Sequence, residues 1–262
     1  MEPFGITYQD LFAGLLVFVR IMAFVGTAPL FGSSRISPRI QMMLGVSLAF
    51  VLYPFVRDSM PDLRIDSTLV VVILGLQEVL AGALMGFSFT LVLAAVQLAG
   101  QSIGSTMGLA MANVLDPATN AQVNVFAQFY SLVATMLFIS MDGHLLFLQL
   151  MIESFERMPP GSLALAEAGA KTVIEAGALV FSLGVRLAFP VLLTLLLVHA
   201  GAGVMSRAAP QIQVFFVLHP LNIAVGFFTF GAVLGVSANV LQGEFQAWAE
   251  RGLQILTILG GG

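Results

Sequence analysis

No charged residue occurs between Glu78 and Asp116. The apolar run that enters this interval begins near Thr68 and continues for about 33 residues. As one straight helix it would extend roughly 50 Å, well beyond a bilayer hydrocarbon core of about 30 Å. Such a run is therefore strongly tilted or broken. The rest of the chain has the same character. Hydrophobic residues make up 58% of it, charged residues 9%, and the mean hydropathy is +0.99. A soluble domain typically carries about a quarter charged residues, so too few are present here to cover a water-facing surface. The expected class is an all-α, polytopic membrane protein with long, broken, tilted helices. A membrane β-barrel would show alternating strands, whereas these runs are continuous.

Six runs are legible: about 11–31, 40–56, 68 onward, 126–152, 172–205 and 212–241. Three of them exceed one simple span. Pro29 closes the first, and Asp142-Gly143-His144 interrupts the fourth. The tail from Gln242 alternates charge and apolar residues at helical spacing and reads as a short amphipathic end helix. The acidic start and Arg20 within the first run argue against a cleaved signal peptide. Arginine and lysine distribution gives only a small orientation bias. Nothing separates a soluble domain, so residues 1–262 are expected to act as one domain.

The stretch from Gln101 to Val125 departs from this pattern. A ladder of small residues, Gly100, Gly104 and Gly108, leads into Met107, Leu109 and Met111, and then to Asp116-Pro117. Irregular backbone at membrane depth is tolerated only where it is buried in protein or lines a cavity. An internal pore loop, lining or closing a channel, is the functional reading. Methionine as a core filler is the plainer one. Asp116 and Pro117 suit an N-cap and first helical position, restarting the chain as a helix.

Ionisable residues inside apolar runs are functional candidates by default. Here these are Arg20, Glu78 and Arg186. A structural ion pair that fixes helix register ranks ahead of a proton relay, because the runs hold few carboxylates. His144, His199 and His219 are scattered without a metal-binding spacing, and cysteine is absent. No catalytic, cofactor or metal site is expected. The 10 basic residues form no stripe, which excludes a nucleic-acid surface. Gly82 with Gly86, and Gly231 with Gly235, have the spacing of close helix packing, within the chain or against other membrane subunits.

Several ordered motifs together resemble the FliR family of flagellar type III export-gate proteins, across essentially the whole chain. They are Arg20 with Pro29 and Pro38, the segment QEVLAGALMGF around Glu78, and QSIGSTMGLAMANVLDP. After these come DGH at 142–144, SF at 154–155, and the long segment that includes SRAAPQIQVFFVLHPL. The family commonly has glycine where this chain has His219. The resemblance implies a hetero-oligomer with FliP- and FliQ-like subunits, in which one such chain completes a ring, and association with FlhB- and FlhA-like proteins. Exported flagellar proteins pass through the central pore in unfolded form, driven by the proton motive force and an ATPase elsewhere. It implies an inner-membrane location in the basal body, an assembled gate largely above the bilayer plane, and a loop at about 104–121 that acts as a plug. On this reading Met107, Leu109 and Met111 are sealing side chains. The alternatives are the equivalent subunit of a virulence injectisome and, from another class, a small-solute transporter. The latter predicts an inverted repeat and clustered polar ligands, neither of which is visible.

Overall fold

The computed structural model describes residues 8–29, 31–32, 36–57, 67–109, 125–162, 167–208 and 214–259. Met111, Asp116 and Pro117 lie outside them. Seven α-helices account for nearly all of it, and no strand occurs among the described residues. They are α1 (Tyr8–Thr27), α2 (Pro38–Val56), α3 (Thr68–Thr106), α4 (Val125–Ser140), α5 (Gly143–Arg157), α6 (Glu167–Ala208) and α7 (Val214–Leu259). Helices α1, α2, α3, α6 and α7 are each long and apolar enough to cross a membrane, and the bent pair α4–α5 could form a sixth span.

Local chemistry sets several boundaries. Pro38 begins α2 after an extended Ser37, at the helix start where its missing N–H costs nothing. Between α4 and α5, Asp142 has φ 56°. This is the left-handed region, which short polar side chains tolerate better than most. The Asp-Gly-His interruption is thus a true helix break. By contrast, α3 is unbroken over its 39 residues, about 58 Å at the usual rise. Pro54, Pro190 and Pro220 lie inside helices without ending them.

The tail differs from expectation. It is not a separate helix but the last part of α7, which runs for 46 residues. The single Gly243 does not stop it, since a lone interior glycine costs only about 1 kcal/mol. Beyond it Phe245, Trp248, Ala249, Leu253 and Leu256 are buried at helical spacing, so the amphipathic face was legible and its start was not.

The chain groups into two compact units. One contains α1, α2, α3 up to Leu91, α5, the start of α6 to Gly177, and α7 from Phe245. Its core includes Val17, Ile21, Phe24, Ala81 and Phe89. Phe147 packs edge-on against Phe24 and Phe89, with ring centroids at 5.2 and 4.5 Å. The second unit contains α3 from Val92, α4, α6 from Ala178 and α7 up to Glu244. Its core includes Val92, Val96, Ile103, Phe126, Tyr130 and Leu195, with Phe230 packed on Phe126 and Tyr130. Both units leave large apolar side chains outside, among them Phe50 and Phe228, which are more than four-fifths exposed. Lipid or apolar partner surfaces suit these faces.

Candidate functional site

The start of the expected pore loop is a defined helix terminus. The amide of Leu109 donates to the carbonyl of Gly104 at 3.0 Å, and that of Gly108 to the carbonyl of Ser105, also at 3.0 Å. This pair of crossed bonds is a Schellman motif. It requires a left-handed residue after the helix, and Gly108 supplies it with φ +84°. Glycine adopts that conformation without the steric penalty of a Cβ.

Within the same unit, α7 meets this terminus. A Cβ added to Gly226 would lie 2.7–2.8 Å from the Cγ, Cε and Sδ of Met107. Met107 thus occupies the space that the missing side chain leaves, and it is fully buried. A Cβ on Gly108 would lie 2.7 Å from the His219 ring. One turn along α7, the amide nitrogen of Asn222 lies 2.8 Å from Nε2 of His199 on α6. Further up α3, a Cβ on Gly100 would come within 2.6 Å of the Ala127 Cα on α4. Two of the three ladder glycines therefore serve close packing in the chain itself. Gly104 is buried and Leu109 half-exposed.

The other unit holds the ionisable residues singled out in the sequence. Arg20 and Glu78 are fully buried. Arg20 Nε donates to Glu78 Oε2 at 2.6 Å and Nη2 to Oε1 at 3.0 Å. The remaining guanidinium bonds go to the Ser154 carbonyl at 3.1 Å, the Ser154 hydroxyl at 3.3 Å and the Met158 carbonyl at 2.9 Å. All five N–H groups of the fork are thereby used. The Ser154 hydroxyl in turn donates to the Met151 carbonyl at 2.7 Å, and the guanidinium stacks 4.0 Å over the Phe155 ring. Helices α1, α3 and α5 meet at this node.

Glycines make the approach possible. A Cβ on Gly82 would collide with the Arg20 carbonyl oxygen, and one on Gly86 with Thr27 Oγ1. Thr90 adds a hydrogen bond to the Thr27 carbonyl at 2.9 Å. Gly231 and Gly235 differ: nothing in the described chain lies within 4 Å of a Cβ at either, and both are exposed. Arg186 is also outside the node. It is 66% exposed and pairs with Glu244 at 3.6 Å. No group of three or more potential metal ligands occurs among the described residues.

Sequence reasoning missed Gly226 and saw in His219 only a departure from the family's glycine. It also missed the Ser154 and Met158 acceptors, although the Ser-Phe pair at 154–155 stood among the motifs. Backbone acceptors leave no signature in residue types.

Five helices long and apolar enough to cross a membrane make this a polytopic α-helical membrane protein. The profile of the bacterial export proteins, family 1, matches residues 11–248, and the chain belongs to that family. It is similar to the flagellar biosynthetic protein FliR of Pectobacterium carotovorum subsp. carotovorum, 34% identical over 83% of this chain and 82% of the relative. It is 31% identical to FliR of Escherichia coli (strain K12), over 84% of this chain and 83% of the relative. With FliR of Bacillus subtilis (strain 168) it shares 32% identity over 96% of this chain and 97% of the relative.

Proposed function

We propose that the chain is a component of the flagellar protein-export apparatus in the bacterial inner membrane, acting as a gate subunit rather than an enzyme. The observation that carries this reading is the nearly end-to-end similarity to a flagellar biosynthetic protein, 32% over 256 residues. The three relatives above all carry the flagellar name, which favours this reading over the injectisome subunit. In the proposed role the chain assembles as one domain with FliP- and FliQ-like subunits, and with FlhB- and FlhA-like proteins. Unfolded flagellar proteins pass through the pore so formed. The segment from Gly104 to Ala121, whose first three residues are the last of α3, closes that pore at rest, with Leu109 and Met111 as sealing side chains and Asp116-Pro117 restarting a helix; Met107, expected among the sealing residues, is fully buried. The glycine-capped end of α3 supports it, since a chain leaving a helix at a fixed point and direction can place a loop reproducibly.

Removing the gene from a flagellated host should abolish export of flagellar proteins, and expression of the chain should restore it. Deleting Met107–Met111 should leave the complex assembled but leaky to small ions or dyes. Normal export in the strain lacking the chain would overturn the role. An assembled deletion variant with unchanged conductance would overturn the plug alone.

A further inference from the structure

We infer that Met107 and His219 are positioning residues, forming with Gly226 a steric seat that fixes where and in which direction the chain leaves α3. This rests on the proposed gating role and adds to it a division of labour: Met107 anchors the base of the loop instead of sealing the pore. Three observations carry the inference, all within one compact unit. Met107, the last residue before the left-handed Gly108, has no exposed surface, so it presents nothing to a channel in this arrangement. Its Cγ, Sδ and Cε fill the place of a side chain at Gly226. His219, about two turns earlier on α7, lies against Gly108 closely enough to exclude a Cβ there.

The two contacts act on consecutive residues, 107 and 108, from one face of one helix. Together they restrict both the position and the rotation of the terminus. The Asn222–His199 bond between them ties that face of α7 to α6. A loop leaving α3 is thus oriented by α7 as well as by the turn that its own Gly108 and Leu109 make.

The test uses the full chain in its host, with membrane abundance, flagellar export and dye entry measured together. His219→Ala removes the ring without adding bulk. It should accumulate normally and admit dye several-fold faster than the parent. His219→Phe keeps a flat ring over Gly108 and should stay sealed. Gly226→Val fills the seat and should leak, and Met107→Ala in the same chain should reduce that leak by clearing the space the valine takes. Parental dye entry in both His219→Ala and Gly226→Val would overturn the seat. So would a double variant that leaks as the sum of its singles, or a His219→Phe variant that leaks like the alanine. If Gly226→Val fails to accumulate, His219→Ala and Met107→Ala, which only remove atoms, decide by the same criterion. Export that persists without the chain would instead overturn the proposed function. Export that requires the chain, with all variants sealed, would overturn the seat only.

Discussion

Around Arg20, five N–H groups meet carboxylate, hydroxyl and carbonyl acceptors. Around Met107 and Gly108 the close contacts are of volume: a thioether in the gap left by one glycine, and an imidazole against another. Both arrangements join helices in a chain with few polar groups, yet they fail differently. A buried charge that loses its partner stays costly whatever the neighbours do. A steric contact can be rebuilt by moving the same volume to the opposite side. The first device suits a junction that must not shift, and the second a terminus whose placement can be tuned.

The largest expected effect tests the rigidity of the charge node. Glu78→Ala leaves a guanidinium buried without its carboxylate, which typically costs about 3–5 kcal/mol. Membrane abundance and thermal stability in detergent should fall steeply, and assembly should suffer more than the energy source for export. Replacing both partners, Arg20→Met with Glu78→Met, should recover part of the loss, because an apolar pair leaves no buried charge. If the purified complex of Glu78→Ala stays intact while proton-driven export alone fails, the residue serves energy coupling and the contrast with α3 collapses.

A smaller effect separates the two glycine pairs. At Gly82 an alanine would strike the Arg20 carbonyl oxygen, and overpacking of this kind costs about 1–3 kcal/mol. At Gly231 the same change meets none of the described residues and should leave the isolated chain as stable or raise its stability by up to about 1 kcal/mol. Melting temperatures of the two variants in detergent compare them directly. Loss of assembly by Gly231→Ala, with the isolated chain unaffected, would place a partner subunit against this face.

The smallest effect concerns Arg186. Its pair with Glu244 is long and two-thirds open on the arginine side, and exposed pairs contribute roughly 0–1 kcal/mol. Arg186→Gln should therefore change the melting temperature little. A loss as large as that of Glu78→Ala would show that an open ion pair can match a buried one, against the distinction drawn here.

Much of this organisation can be read from residue types. Arg20 and Glu78 stand out because charge is rare in apolar runs, and the cost of burying a charge alone calls for an ion pair; which arginine, in this chain or on a partner subunit, meets Glu78 is visible only in the fold. The Asp142 break was visible as polar residues within the fourth run. What escapes is the identity of the surface opposite each feature. Gly82-Gly86 and Gly231-Gly235 have the same spacing, but among the described residues only the first pair lies against another helix. Spacing specifies a small face and says nothing of what covers it. Gly226 was hidden among 26 glycines, because its importance comes from Met107, far away in sequence. The start of the tail helix was misplaced because a charged turn outside a core resembles a linker until the continuous helix is seen.

In the proposed export role, the crossed bonds at the end of α3 would bear on traffic through the channel. An extended polypeptide carries its own unsatisfied amides and adheres wherever free backbone acceptors are offered. The carbonyls of Gly104 and Ser105 are already engaged by Leu109 and Gly108, so they offer a passing chain fewer places to pair. In that role, a helix end that holds its own acceptors would be a low-friction edge for an unfolded cargo.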